Sequence, residues 1–220
     1  MVEAVIFDMD GVLIDSENHW QQTERTLFAH LGFELTDELL QQTRGLRTEE
    51  MVDHWSKRFK LDKVNPKELM HRYDSLMVET IANEVQMMDG AIEALQFFER
   101  KELPMALASC STLDHIHAAL EANGIGKYFK KVVSASENMP GKPHPEVYLK
   151  TAQLLETDPI SCLAIEDSFY GVISAKAARM KVIALPDPHE HHQNRFDAAD
   201  LKIRSLREIN DEIFDQLQNM

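Results

Sequence analysis

The sequence predicts an α/β protein built on a parallel sheet of five or six strands with helices on both faces, interrupted by one helical insertion. Three observations support this fold class. Short runs rich in β-branched residues recur along the chain, most of these runs follow a stretch with helical periodicity, and residues 16–84 contain no such run. Strands that alternate with helices are typical of parallel sheets, because each crossover needs a helix-sized connection.

The first strand is predicted at residues 3–8, where the β-branched run is typical of a buried strand. Later strands are predicted at 103–109, 131–135, 162–166 and 181–185, with a short last one at 201–203. The helices between them are predicted at about 89–101, 111–123, 144–155 and 168–178. Each of these helices is long enough to connect two parallel strands.

The insertion has amphipathic helical periodicity near 16–31, 48–59 and 67–84. Pro66 suits the first position of the third helix. We therefore expect a core formed by residues 1–15 and 85–220, and an α-helical cap formed by residues 16–84.

Composition excludes several classes of function. The chain has 23 Lys and Arg against 37 Asp and Glu, a net charge of −14, which repels nucleic-acid phosphates. Cys110 and Cys162 make no disulfide framework and fit a reducing compartment. The apolar start is too short for a signal peptide or a membrane span. We expect a cytoplasmic protein without nucleic-acid or membrane partners.

Two carboxylates follow the first predicted strand. Asp8 and Asp10 lie at its carboxyl end, the edge where open parallel sheets bind ligands, and Gly11 allows a sharp exit. The two charges would repel each other unless a cation lay between them, and a hard divalent ion such as Mg²⁺ is the natural partner. The alternative is a strand-to-turn junction with acidic residues facing water.

Three further signals lie at the same predicted edge. Ser109 ends the second strand before a helix, where a hydroxyl and backbone N–H groups can hold a phosphate, or where it serves only as a helix cap. Lys142 lies in a loop stiffened by two prolines and can pin a phosphoryl oxygen, or it is an ordinary surface lysine. Glu166 and Asp167 end an apolar strand, which is costly without a compensating cation.

This order and spacing resembles the haloacid dehalogenase-like superfamily. The resemblance covers essentially the whole chain and rests on the motifs FDMDGVLIDSE, LASCS, GKPHPEVY and IEDSFYGVISAKAA. It implies a Rossmann-like core with strand order 3-2-1-4-5 and a cap of four or five helices inserted after the first motif.

The resemblance also implies roles in catalysis. Asp8 is the nucleophile, and Asp10 is the general acid and then the general base. Mg²⁺ is bound by Asp8, the backbone carbonyl of Asp10, and Asp167. Glu166 acts through water or by holding a neighbour. A carboxylate nucleophile divides the hydrolysis of a phosphate ester into two easier steps.

The same resemblance assigns the phosphoryl group to Ser109, the backbone of Cys110, and Lys142. A cysteine-based phosphatase mechanism at Cys110 is disfavoured, because such chemistry needs an arginine six residues on and position 116 is Ile. The histidines of the 189–192 loop are interpreted as a solvated loop rather than a metal cluster.

The cap carries the signals for substrate. Residues 15–20 (DSENHW) and 45–47 (GLR) resemble bacterial 2-deoxyglucose-6-phosphate or hexitol phosphatases, which implies substrate contacts by Trp20 and Arg47. We expect a monomeric, Mg²⁺-dependent phosphatase that hydrolyses a small sugar or sugar-alcohol phosphate through an aspartyl-phosphate. Trp20 and Trp55 can equally be packing residues of the cap core or a stacking wall for a sugar ring.

Three alternatives stay open beside this one. A β-phosphoglucomutase-like mutase carries a hinge histidine where Trp20 stands and a phosphate-binding arginine where Thr48 stands, but Arg44 or Arg47 can substitute for that arginine. A phosphoglycolate phosphatase is the second alternative. An inactive binding module is the third, and it is disfavoured because Asp8 and the other motif residues are intact.

Overall fold

The computed structural model describes residues 1–40, 42–43, 47–135 and 139–219. The chain divides into two compact units. The core unit combines Met1–Asp15 with Gln86–Met220, and the cap unit is Ser16–Val85. This division lies one residue from the boundary expected between 84 and 85.

The described part of the core unit contains one six-stranded sheet in which all neighbouring strands are parallel. Its strands are β1 (Ala4–Phe7), β2 (Met105–Ser109), β3 (Phe129–Ser134), β4 (Cys162–Glu166), β5 (Lys181–Ala184) and β6 (Leu201–Lys202). The order is β3-β2-β1-β4-β5-β6. This confirms the predicted fold class, and the sixth strand lies at the edge next to β5. Every residue of the central strand β1 is buried, which explains its β-branched composition.

The α-helices begin and end close to the predicted positions. In chain order they are α1 (Glu17–Ala29), α2 (Asp37–Leu40), α3 (Thr48–Phe59), α4 (Pro66–Asn83), α5 (Ala91–Arg100), α6 (Leu113–Ala122), α7 (Glu146–Leu154), α8 (Phe169–Ala177) and α9 (Asp211–Asn219). The helices α2 and α9 were not predicted. A four-residue helix has no detectable period, whereas α9 does carry a short amphipathic pattern in Ile213, Phe214 and Leu217. None of the described helices combines the length and the apolar character needed to cross a membrane.

The chain leaves the sheet after β1 and returns to it beside the same loop. The backbone N–H of Asp15 donates to Gln86 O at 2.9 Å, and that of Met88 donates to Leu13 O at 2.9 Å. Gly11 adopts φ +73°, and its N–H donates to Ile14 O at 2.9 Å, so this position has the left-handed conformation that glycine tolerates best. The insertion therefore begins and ends at one paired segment next to the end of β1.

The cap unit has an apolar core of its own. Phe28, Trp55 and Leu69 lie in its centre and are almost completely buried. This core also contains one buried carboxylate. Glu24 Oε1 accepts hydrogen bonds from Trp55 Nε1 and, at 2.7 Å, from Thr43 Oγ1. The indole N–H of Trp55 is thereby satisfied inside the apolar cluster.

Candidate active site at the carboxyl edge of the sheet

The parallel register brings the motif residues to one edge. Phe7 is level with Leu107 of β2 and with Ile165 of β4, so the residues that follow these strands emerge side by side. Asp8 follows β1, while Ser109 and Glu166 are the last residues of β2 and β4. Three separate sequence motifs therefore meet because their strands are neighbours.

Lys142 lies at the centre of this edge. Its Nζ atom is 2.5 Å from Asp8 Oδ1 and 2.5 Å from Glu166 Oε1, and it donates to the carbonyl of Ala108 at 3.2 Å. Only 8% of the lysine side chain is exposed. Burial lowers the pKa of the ammonium, but the Asp8 and Glu166 carboxylates outweigh it and hold that pKa well above its usual value. Lys142 is therefore a buried, fixed positive charge.

Glu166 is fully buried and holds this lysine in place. Its Oε1 also accepts a 2.5 Å hydrogen bond from the hydroxyl of Tyr148, and its Oε2 accepts one from Ser168 Oγ at 3.3 Å. Burial and the Glu166 charge raise the pKa of Tyr148 well above normal, so the phenol keeps its proton and donates. Of the two roles expected for Glu166, holding a neighbour is the one that these contacts describe.

A glycine makes room for that carboxylate. A Cβ atom on Gly171 of α8 would overlap the carboxyl group of Glu166. The backbone of α8 therefore approaches Glu166 more closely than any other residue type would allow. Neither Gly171 nor Tyr148 was predicted as a site residue, although Gly171 lies in the motif IEDSFYGVISAKAA and Tyr148 ends GKPHPEVY.

Asp8, Glu166 and Asp167 form a cluster suited to a metal ion. One carboxylate oxygen from each lies within 4.8 Å of the others. Burial raises the pKa of Asp8 to about 7, and the charges of Glu166 and Asp10 add to this against the attraction of Lys142. Burial and the charges of Asp8 and Glu166 also raise the pKa of Asp167 well above normal. Crowded carboxylate oxygens are suitable ligands for a hard divalent cation, and such a cation would relieve the repulsion between the negative charges of these residues.

Asp10 makes a contact that the sequence did not predict. Its Oδ2 atom accepts a hydrogen bond from Ser111 Oγ at 2.7 Å. Ser111 follows Ser109 by two residues, and its N–H donates to Ser109 Oγ at 3.0 Å. The signal that would have found Ser111 is the second serine of the motif LASCS.

Cys110 lies between these two serines and is not suited to be a nucleophile. Burial raises the pKa of its thiol, and the positive charge of Lys142 does not cancel that effect. A neutral thiol is a poor nucleophile. This agrees with the expectation that only the backbone of Cys110 is used.

The cap unit contains Trp20, Arg47 and Trp55, the residues weighed for substrate contact. Trp20 of α1 packs against Tyr73 with ring centroids 6.0 Å apart, and it lies at the edge of the cap core. Arg47 precedes α3 and its guanidinium lies 3.8 Å from the Glu50 carboxylate. Trp55 is fully buried, so it is a packing residue rather than a stacking wall. Arg44 and the first two residues of the GLR segment lie outside the described residues.

Comparison with known proteins identifies this arrangement. Residues 5–185 match the haloacid dehalogenase-like hydrolase family. The chain belongs to this family. The predicted family is thereby confirmed, and so is the predicted enzyme class, a phosphatase.

Individual relatives of this hydrolase span nearly its whole length. It is 36% identical over 207 residues to hexitol phosphatase B of Escherichia coli K12, covering 94% of this chain and 93% of that protein. Its fold resembles a putative β-phosphoglucomutase of Thermotoga maritima, with a TM-score of 0.78, 26% identity and complete coverage of both chains. It also resembles β-phosphoglucomutase of Clostridium difficile, with a TM-score of 0.82, 23% identity, and coverage of 100% and 98%. The last likeness shows the fold alone.

Proposed function

We propose that this hydrolase is a Mg²⁺-dependent phosphatase of small sugar or sugar-alcohol phosphates, acting through an aspartyl-phosphate on Asp8. The observation that carries the proposal is the position of Lys142, with Nζ 2.5 Å from Asp8 Oδ1. A buried ammonium at this point neutralises part of the repulsion between a carboxylate nucleophile and an anionic phosphate.

The first step forms a bond between a carboxylate oxygen of Asp8 and phosphorus. The ester bond from phosphorus to the leaving oxygen breaks, and Asp10 gives that oxygen its proton. In the second step a water molecule attacks the same phosphorus, and Asp10 takes a proton from that water. The bond to Asp8 breaks, which restores its carboxylate and releases inorganic phosphate. Ser109 Oγ, the backbone of Cys110 and Lys142 hold the phosphoryl oxygens throughout.

Asp8, the backbone carbonyl of Asp10, and Asp167 would hold the magnesium ion, with Glu166 in the same carboxylate cluster. A bound divalent ion supplies charge neutralisation at the phosphoryl group and at the nucleophile. The residues suit Mg²⁺ because all their ligand atoms are oxygens and because the carboxylates are crowded together. Burial and the neighbouring negative charges raise the pKa of Asp8 to about 7, and a bound cation would offset that cost.

Hexitol phosphatase B is 36% identical to this chain across both the core and the cap, so its activity guides the choice of substrates. We therefore propose hexitol 6-phosphates and 2-deoxyglucose 6-phosphate as the first substrates to test. Trp20 offers an apolar surface and Arg47 a positive charge for such a ligand. The proposed partner is a small phosphorylated metabolite, and a monomeric, cytoplasmic enzyme remains our prediction.

The test is a phosphate-release assay on a panel of hexitol 6-phosphates, 2-deoxyglucose 6-phosphate, phosphoglycolate and nucleotides. We expect turnover of the hexitol or deoxyhexose esters, and none by Asp8→Asn, because an amide cannot attack phosphorus. Asp114→Asn, a change at an exposed aspartate of α6, is the matched control and should retain full activity. An Asp8→Asn enzyme with more than a few per cent of the wild-type rate, free of deamidation, would reject the nucleophile.

A second assay separates the phosphatase from a mutase. A mutase must retain a bisphosphorylated sugar, whereas the phosphatase loses phosphate to water after the first product leaves. We expect inorganic phosphate as the product with no need for β-glucose 1,6-bisphosphate. Conversion of β-glucose 1-phosphate to glucose 6-phosphate that outruns phosphate release, and only when the bisphosphate is present, would favour the mutase.

A further inference from the structure

The hydrogen bond between Ser111 and Asp10 joins two loops of the core unit. Ser111 follows β2 and Asp10 follows β1, and these strands are neighbours in the sheet. The Ser111 hydroxyl donates to Asp10 Oδ2 at 2.7 Å, the usual length of an O–H···O hydrogen bond. A contact of this length restricts the side-chain torsions of the aspartate.

The backbone of Ser111 is itself held on both sides. Its N–H donates to Ser109 Oγ at 3.0 Å, and its carbonyl accepts from Ser134 Oγ at 2.6 Å. Ser109 is the last residue of β2 and Ser134 the last of β3. Two strand ends therefore determine where the Ser111 hydroxyl lies, and that hydroxyl in turn contacts the carboxylate that we assign to proton transfer.

We propose that Ser111 is a positioning residue that orients the Asp10 carboxyl group for proton transfer to the leaving oxygen. This inference rests on the proposed function, since it assumes that Asp10 is the general acid. A general acid must lie within about 2.6–3.2 Å of the oxygen that it protonates. In this step the proton passes from Asp10 to the leaving oxygen as the ester bond breaks, and Ser111 neither gains nor loses a proton.

The test compares two leaving groups. An alkoxide is a strong base and needs the acid, whereas 4-nitrophenolate leaves without much protonation. The quantity measured is kcat/KM, which reports the steps up to formation of the aspartyl-phosphate and excludes its shared hydrolysis. Ser111→Ala should lower kcat/KM for hexitol 6-phosphate about 10-fold, a part of the 10²–10⁴-fold that general acid catalysis typically contributes. For 4-nitrophenyl phosphate, kcat/KM should change less than about 3-fold.

Three controls accompany this comparison. Ser111→Thr retains a hydroxyl, so the ratio of its kcat/KM values for the two substrates should be close to that of the wild type. Thr112→Ala removes the neighbouring hydroxyl, which accepts from the N–H of His115 and caps α6, so it should change stability but not the ratio. Ser134→Ala releases the Ser111 carbonyl and should shift the ratio in the same direction as Ser111→Ala, by less.

Equilibrium binding separates positioning from direct contact with the sugar. In an Asp8→Asn background, which cannot turn over, the affinity for hexitol 6-phosphate measured by calorimetry should be the same with Ser111 and with Ala at that position. Weaker binding in parallel with the lost kcat/KM would overturn the proposal in favour of a substrate contact. The proposal would also be overturned if Ser111→Ala lowered kcat/KM equally for both esters, or for neither.

The proposed substrate can fail independently of this inference. If the wild-type enzyme releases phosphate from another alkyl phosphate of the panel but not from a hexitol ester, the substrate assignment is wrong. The Ser111 comparison is then carried out with that alkyl ester, and the same outcomes decide it.

Discussion

Lys142 Nζ lies 2.5 Å from Glu166 Oε1, inside a site where the lysine side chain is 8% exposed and the glutamate is fully buried. The same ammonium contacts Asp8, so one cation is shared between a carboxylate that holds it and a carboxylate that we assign to the reaction. The stability of this arrangement and its chemistry therefore depend on the same charge.

Lys142→Met should abolish activity and destabilise the fold. It leaves two buried carboxylates without their cation, and breaking a buried pair from one side costs about 3–5 kcal/mol. Urea unfolding measures the stability, and Lys131→Met, at an exposed position of β3, is the control with little expected effect. The double variant Lys142→Met/Glu166→Gln should be less destabilised than the sum of its single variants. If the losses of stability in the single variants simply added up in the double variant, Lys142 and Glu166 would not be coupled.

Gly171→Ala should lower activity by about 100-fold, the loss typical of a misplacement of about 1 Å at a site. The added methyl group would overlap Glu166, which holds both Lys142 and Tyr148. Steady-state kinetics and a melting curve check this expectation. Gly126→Ala is the control, because its Cβ would lie 3.8 Å from the nearest atom, Leu120 Cβ. An active, stable Gly171→Ala enzyme would show that Glu166 can move without consequence.

Chelation of divalent ions by EDTA should abolish turnover, and Mg²⁺ should restore it. Ca²⁺ should restore it poorly, because calcium accepts more oxygen ligands in a looser geometry. Mg²⁺ should also raise the melting temperature, since a ligand at 100 times its Kd stabilises by about 2.7 kcal/mol. Asp167→Asn should diminish that shift and Asp114→Asn should leave it intact. Full activity in metal-free buffer would refute the metal dependence.

Glu24 should make the stability of the protein depend on pH. Burial raises the pKa of this carboxyl, although the hydrogen bonds from Thr43 and Trp55 act in the opposite direction. Because the pKa is higher in the folded state, protonated Glu24 contributes to the free energy of unfolding. That contribution is complete below the unfolded pKa near 4.5 and is lost as pH rises through the folded pKa. Glu24→Gln keeps an acceptor for Trp55 and carries no charge.

We therefore expect Glu24→Gln to gain stability relative to the wild type as pH rises from 4.5 towards neutrality. Urea unfolding at a series of pH values measures the difference. Glu34→Gln, at an exposed position of the cap, should show no such trend. A difference between wild type and Glu24→Gln that is constant across this range would contradict the raised pKa.

Much of the core fold could be predicted because its signals are local. The run Ala4–Phe7 is apolar on both sides of the strand, which indicates a strand covered by helices on both faces. The acidic motif residues follow such strands, whose ends reach one edge of the sheet, and Lys142 lies in the loop that leaves the same edge after β3. For this reason Asp8, Lys142 and Glu166 could be grouped without knowledge of any contact between them.

Other elements were not predicted. The helix Asp37–Leu40 is too short to show a period, while Asp211–Asn219 is amphipathic but short, and its buried residues are Phe214 and Leu217. The role of Trp55 stayed open because an indole at a helical spacing suits a core and a sugar-binding surface equally. The burial of Trp55 and its hydrogen bond to Glu24 show that it is a packing residue of the cap core.

Local patterns along the chain were enough to predict the class of sheet, the strand ends that carry chemistry, and the family that these motifs resemble. Periodicity specifies which face of an element is buried, and strand order then follows from the family pattern. The folded structure was needed to show that Ser111 contacts Asp10, that Tyr148 contacts Glu166, and that Gly171 leaves space for that carboxylate. These contacts depend on positions accurate to a few tenths of an ångström between residues far apart in the chain. Such positions follow from packing across the whole sheet edge, which no local pattern encodes.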